Sequence, residues 1–224
     1  MRWLLIALAL AVAEPVVVLD LANARMGAGL PSGWKVRGVR GQRAPDLEVT
    51  ADQEGPRLRL SGTGRAAWFY RELPDEIHEA SGALLWSWRV LSAPATADLR
   101  APATDDSPIR VYVVFGRPSL FRNSARIIFY SAGSTEPAGF ARASFGSDKL
   151  HVVRIDGVAE RGRWVDHAID PFADYRRIWN AAPPPISAIG VMQDTDQTQG
   201  YAAAELRRLD WVPSSVRSDA TPGP

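Results

Sequence analysis

The sequence predicts an all-β protein, an antiparallel β-sandwich of the jelly-roll kind with one short helix. Short runs of alternating apolar and polar residues recur along the chain, the period-two signal of half-buried strands. Turn residues punctuate them, as at Gly38, Gly41, Pro45, Gly55-Pro56, Gly62 and Gly64. One segment alone shows helical spacing. A chain of 224 residues, 46% hydrophobic, can bury one large core. No linker or internal repeat divides it. A closed barrel is the alternative arrangement of the same strands.

Residues 1–13 read as an export signal. Arg2 is a short positive start, Trp3 to Val12 is apolar, and Ala11-Val12-Ala13 is a small-x-small cleavage site. Ala22-Asn23-Ala24 offers a second site, but Val16-Val17-Val18-Leu19 resembles the opening strand of a domain over residues 14–213. The apolar run is far short of the ~20 residues a membrane-spanning helix needs. The expected compartment is therefore periplasmic or secreted, with no membrane span. The chain has no cysteine, which excludes disulfides, thiol catalysis and cysteine-ligated zinc. A formal net charge of +1 argues against nucleic acid as a partner. Lys35 and Lys149 are the only lysines. Arginine suits carboxylate or phosphate partners, although the codon bias of a GC-rich genome gives the same composition.

The strands follow in order. Leu58-Arg59-Leu60 and Trp68-Phe69-Tyr70 alternate. In residues 84–91, Leu84, Trp86, Trp88 and Val90 share one face, and Leu85, Ser87 and Arg89 the other; the two tryptophans suit a core. Residues 92–108 form a long loop carrying Asp98, Asp105 and Asp106, and long loops are where function tends to sit. Residues 109–115 then place Ile109, Val111, Val113 and Phe115 against Arg110, Tyr112 and Val114. Residues 125–130, a neighbouring strand, set Ile127 and Phe129 against Arg126, Ile128 and Tyr130. Four more strands are expected over residues 150–156, 164–167, 187–192 and 202–211. Asp170 caps a helix begun by Pro171 and carried by Phe172, Tyr175, Ile178 and Trp179, which Pro183-Pro184-Pro185 ends. Residues 214–224 read as a disordered tail.

Standard catalytic and cofactor motifs are absent: no nucleophile elbow, phosphate-binding loop, dinucleotide fingerprint or His-Glu-x-x-His. No catalytic residue and no cofactor are assigned. His78, His151 and His167 show no metal-ligand spacing. Asp194-Thr195-Asp196 is either a turn stitched to local backbone or a site where Asp194 and Asp196 hold a hard cation such as Ca²⁺. Asp105 and Asp106 point apart on extended chain. They are either ion-paired to Arg110, Arg89 or Arg126, or ligand contacts, or an acid–base pair. If the strands are neighbours in suitable register, Arg89, Arg110, Tyr112, Arg126 and Tyr130 share one face. Such a face suits saccharide recognition through ring stacking and guanidinium hydrogen bonds. It could equally be a polar layer beneath the helix, with Asp174 paired to an arginine below.

The order Leu30-Pro-x-Gly-Trp34, Trp86-Ser-Trp-Arg-Val90, Asp105-Asp106, Arg110 to Phe115, Ala125 to Tyr130, Asp174-Tyr175-Arg176, Pro184-Pro185-Ile186 and Asp194-Thr195-Asp196 resembles the DUF3047 family, exported bacterial proteins of unknown function. Gln197 is one departure, where the family often carries Asn. The resemblance implies no assigned site residues, and a fold similar to galactose-binding-like jelly rolls. The expected function is non-catalytic binding of carbohydrate or a related cell-envelope component. The alternatives are a glycoside-cleaving enzyme using aspartates and a structural or interaction module of the envelope.

Overall fold

The computed structural model describes residues 14–78, 82–117, 125–133, 135–157 and 161–213. The expected export signal (residues 1–13) and tail (residues 214–224) lie outside them. The strands are β1 (Val16–Val17), β2 (Gly27–Ala28), β3 (Trp34–Gly38), β4 (Asp46–Asp52), β5 (Gly55–Thr63), β6 (Ala66–Ile77), β7 (Gly82–Ser92), β8 (Ser107–Phe115), β9 (Arg126–Ala132), β10 (Ala141–Ser144), β11 (Ser147–Asp156), β12 (Val165–Ile169), β13 (Ile186–Asp194) and β14 (Tyr201–Pro213). One helix, α1 (Pro171–Trp179), lies between β12 and β13.

These strands form two sheets, a jelly-roll sandwich and not a barrel. The first runs β12-β7-β14-β5-β4-β2, with β1 also beside β14; the second runs β10-β11-β9-β8-β13-β6-β3. Pairing is antiparallel except between β9 and β11. There β10 takes the outer edge, and its hairpin partner β11 enters beside β9 in the same direction.

Alternation decides what fills the space between the sheets. Ile109, Val111, Val113 and Phe115 of β8 meet Leu58, Leu60, Trp86, Trp88 and Leu206 from the first sheet, all buried. Trp86 sits against both Trp88 and Tyr130, with ring centroids 5.7 Å and 5.5 Å away. Aromatic contacts of this size dominate core energetics. The helix begins as its sequence dictates: Asp170 Oδ1 accepts the N–H groups of Phe172 and Ala173, and Pro171 has no N–H that needs an acceptor. It ends earlier than the proline run. Asn180 turns left-handed at φ 47° and donates its N–H to Arg176 O, a helix stop that satisfies an orphan carbonyl. Phe172 and Tyr175 pack on Phe115, and Phe172 on Trp211, so α1 covers one end of the core.

The second sheet is also covered on its outer face. Tyr112, Phe129, Val152 and Met192 form a separate apolar cluster there, joined by Leu99 from the loop before β8. Both faces of β8 and β13 are therefore buried. Gly190 makes this possible, because a Cβ there would lie 2.2 Å from Phe69 O and 2.7 Å from Tyr112 Cζ. The backbone carbonyl cannot move without breaking the β6–β13 ladder. Gly190→Ala should thus destabilise the fold by about 3 kcal/mol, the upper end of the overpacking range, read as a lowered urea midpoint at unchanged slope.

Candidate functional site

The register of β8 against β9 separates residues that the alternation had grouped. Val111 pairs with Tyr130, Tyr112 with Phe129, and Phe115 with Arg126. Directly paired residues share a face. Arg110 and Tyr112 therefore point outward with Phe129, while Arg126 and Tyr130 point inward. Arg89 lies in the other sheet, on β7, bonded to Glu205 and Glu54. The single Arg/Tyr face does not form, because neighbours came into register one residue away from the arrangement it required. Arg126 instead donates to Tyr175 Oη, and Tyr130 Oη donates to Asp174 Oδ2. Asp174 thus meets a tyrosine beneath the helix, not an arginine; its charged partner is Arg177 on the same helix.

Arg110 is buried and central. Its Nη1 lies 2.8 Å from Asp194 Oδ2, and its Nη2 lies 3.1 Å from Asp105 Oδ1. Asp105 Oδ2 also meets Arg142 of β10 at 2.8 Å. Asp106 is not ion-paired to any of the arginines proposed for it. Its carboxylate accepts the N–H groups of Gln197 and Thr198 and the Thr198 hydroxyl. Thr195 ties the following loop to Arg65, the residue before β6, its Oγ1 accepting from Arg65 N and donating to Arg65 O. Asp194-Thr195-Asp196 is thus held by contacts distant in sequence.

These anchors frame a cleft of about 250 Å³ on the outer face of the second sheet. Trp68, Phe129, Leu150, Val152 and Met192 line it, with Phe145 at 49% exposure. Asp105, Arg110, Asp194 and Gln197 supply its polar lining. Trp68 packs edge-on against Tyr112 and Phe129, which fixes its ring. The Arg142 guanidinium lies 3.6 Å from the Phe145 ring centroid. The apolar and aromatic lining residues and Arg142 were missing from the sequence reading. The alternation of Trp68-Phe69-Tyr70 was the available signal, since it sets Trp68 and Tyr70 on one face. Tyr112 lies beneath Trp68 and is buried.

Carboxylate oxygens of Asp106, Asp194 and Asp196 lie within 4.8 Å of one another. Three such oxygens could hold a hard cation such as Ca²⁺, with Asp106 adding to the two residues named from sequence. Burial pushes the Asp194 carboxyl up to about 7, outweighing the pull of Arg110, and the adjacent Asp196 reinforces the rise. A proton on Asp194 gives the Asp194–Asp196 pair a donor between its oxygens; Asp196 Oδ1 is buried and has no hydrogen-bond partner among the described residues.

Fold and site together define a jelly-roll β-sandwich with a part-aromatic cleft on the outer face of one sheet. The chain belongs to the DUF3047 family, described as proteins of unknown function, whose model matches residues 32–210. No curated protein matches it in sequence. Among solved structures it is similar to a family 11 carbohydrate-binding module from Clostridium thermocellum in complex with a β-1,3-1,4-mixed-linked tetrasaccharide. The TM-score is 0.50 at 12% identity, covering 90% of this chain and 98% of that one. It is also similar to the family 12 endoglucanase 3 of Trichoderma harzianum, with a TM-score of 0.45 at 11% identity, covering 91% and 99%. The first of these likenesses describes the fold alone.

The raised Asp194 carboxyl has a stability consequence. The folded state holds this proton between the ordinary value of 3.8 and about 7, where the unfolded chain has released it. Asp194 therefore costs stability progressively as pH rises through that window, and the full cost is present above it. The stability of the native protein minus that of Asp194→Asn should fall from pH 4 to pH 7, by at most about 4 kcal/mol. Urea melts at several pH values measure this difference; a flat or rising difference would contradict it.

Proposed function

We propose that this protein is an exported, non-catalytic binder of saccharide and that the outer cleft of the second sheet is its site. The composition of that cleft carries the proposal. Trp68, held edge-on by its neighbours, offers a rigid ring to the apolar face of a sugar, and Phe145 adds an exposed one. Asp105, Asp194 and Gln197 supply acceptors and donors for hydroxyls at the same lining. Apolar surface with a few convergent polar groups is the usual make-up of a small-molecule site. The fold shared with the tetrasaccharide-bound module supports the reading by analogy of fold alone. Export rests on the signal-like residues 1–13, and a cell-envelope glycan is the partner such a location would offer.

A second reading has one observation behind it. Asp194 takes up a proton near neutral pH beside Asp196, the condition for a general acid in glycoside cleavage. Under this reading the protein would release new reducing ends from a bound glycan, and Asp194→Asn would stop it.

A glycan array of neutral and acidic oligosaccharides, followed by calorimetry, tests the main reading. Trp68→Ala should weaken a bound neutral oligosaccharide at least about tenfold, as loss of an aromatic anchor does, while the bound glycan is recovered uncleaved. Absence of binding by the folded protein to every glycan would remove the proposal.

A further inference from the structure

A second pocket, of about 460 Å³, lies where the C-terminal end of α1 meets the N-terminal ends of β9 and β11. It shares no lining residue with the outer cleft. Its volume falls within the range of small-molecule sites, about 300–1,000 Å³. Arg126, Asp148, Lys149, Tyr175, Trp179 and Pro184 line it.

The rings of this pocket are fixed in place. Trp179 Nε1 donates to Asp148 O at 3.2 Å, and the Trp179 ring lies 4.6 Å from that of Tyr175. Arg126 sits against both, with its guanidinium carbon 5.5 Å from the Tyr175 centroid and 5.1 Å from the Trp179 centroid. Its hydrogen bond to Tyr175 Oη, 2.8 Å long, uses one of five donors. The part-buried Arg57, Arg89 and Arg142 each meet a carboxylate. Arg126 meets none among the described residues. A pre-positioned guanidinium without an anion, beside a fixed indole, has the chemistry to take a planar carboxylate bidentately and stack the ring that carries it. Lys149 adds a second cation to the lining and Asp148 one carboxylate.

We propose that this pocket binds a uronate, the carboxylated sugar ring of an acidic glycan, with Arg126 on the carboxylate and Trp179 against the ring. The proposal stands on residues outside the cleft and does not depend on the reading of that site.

The experiment titrates the folded protein with oligogalacturonate and with the neutral galactose oligomer, followed by calorimetry. Oligogalacturonate should bind, and Arg126→Gln should weaken it at least about tenfold, the loss of a charge-assisted bidentate contact. Trp179→Ala should weaken it similarly, Arg126→Lys should recover part of the affinity, and Trp68→Ala should leave it unchanged. Absence of oligogalacturonate binding to the native protein overturns the proposal, as does undiminished binding to Arg126→Gln. Loss confined to Trp68→Ala also overturns it, by moving the acidic glycan to the outer cleft, whose own reading would then stand. Lack of neutral-glycan binding bears on the cleft alone.

Discussion

The outer face of this protein depends on one buried cation. Arg110 rises from the middle of the second sheet and is held by Asp105, at the end of the long loop, and by Asp194, at the end of β13. Asp105 then reaches Arg142 on β10. Three parts of the chain far apart in sequence, at residues 105–110, Arg142 and Asp194, are thus pinned around one guanidinium. Burying such charges costs several kcal/mol per ion before their attraction returns it. The arrangement is therefore a weak source of stability. It is a strong constraint on geometry, because any displacement leaves a charge unpaired. The walls of the cleft are placed by that constraint.

The same sheet carries two apolar faces of unequal use. The inner one packs against the first sheet and α1 as an ordinary core. The outer one is partly roofed by Leu99 and the loop around it, leaving Trp68 half-buried and Phe145 exposed beyond the roof. A sheet buried on both faces needs small residues where the layers press together, and Gly190 fills that need beneath Tyr112. Packing in the scaffold thereby sets the position of the rings in the cleft.

Electrostatics divides the two candidate sites. Around the cleft, three carboxylates crowd within reach of one another, relieved by a proton on Asp194 and by the backbone amides that cap Asp106. At the helix end, Arg126 has rings for neighbours and, among the described residues, no carboxylate within ion-pair distance. A surface of nearly zero net charge has little long-range field, so discrimination between neutral and acidic ligands must come from such local differences.

Much of the fold was legible along the chain. Trp86 and Trp88 alternate into the core, Asp170 and Pro171 begin the one helix, and residues 109–115 and 125–130 do pair. These depend on period-two and 3.6-residue spacing and on local capping, which a sequence expresses directly. The sites were less legible. Arg89, Arg126 and Tyr130 left the face they were expected to share with Arg110 and Tyr112 because strand order and a one-residue register choice are not local properties. Asp106 joined Asp194 and Asp196 because the loop after β13 folds back across 88 residues of sequence. The sequence by itself determined a two-sheet sandwich and the residue types available for recognition. Tertiary structure decided which side each one faces, since register follows from the total packing of both faces of a sheet and from no single strand within it.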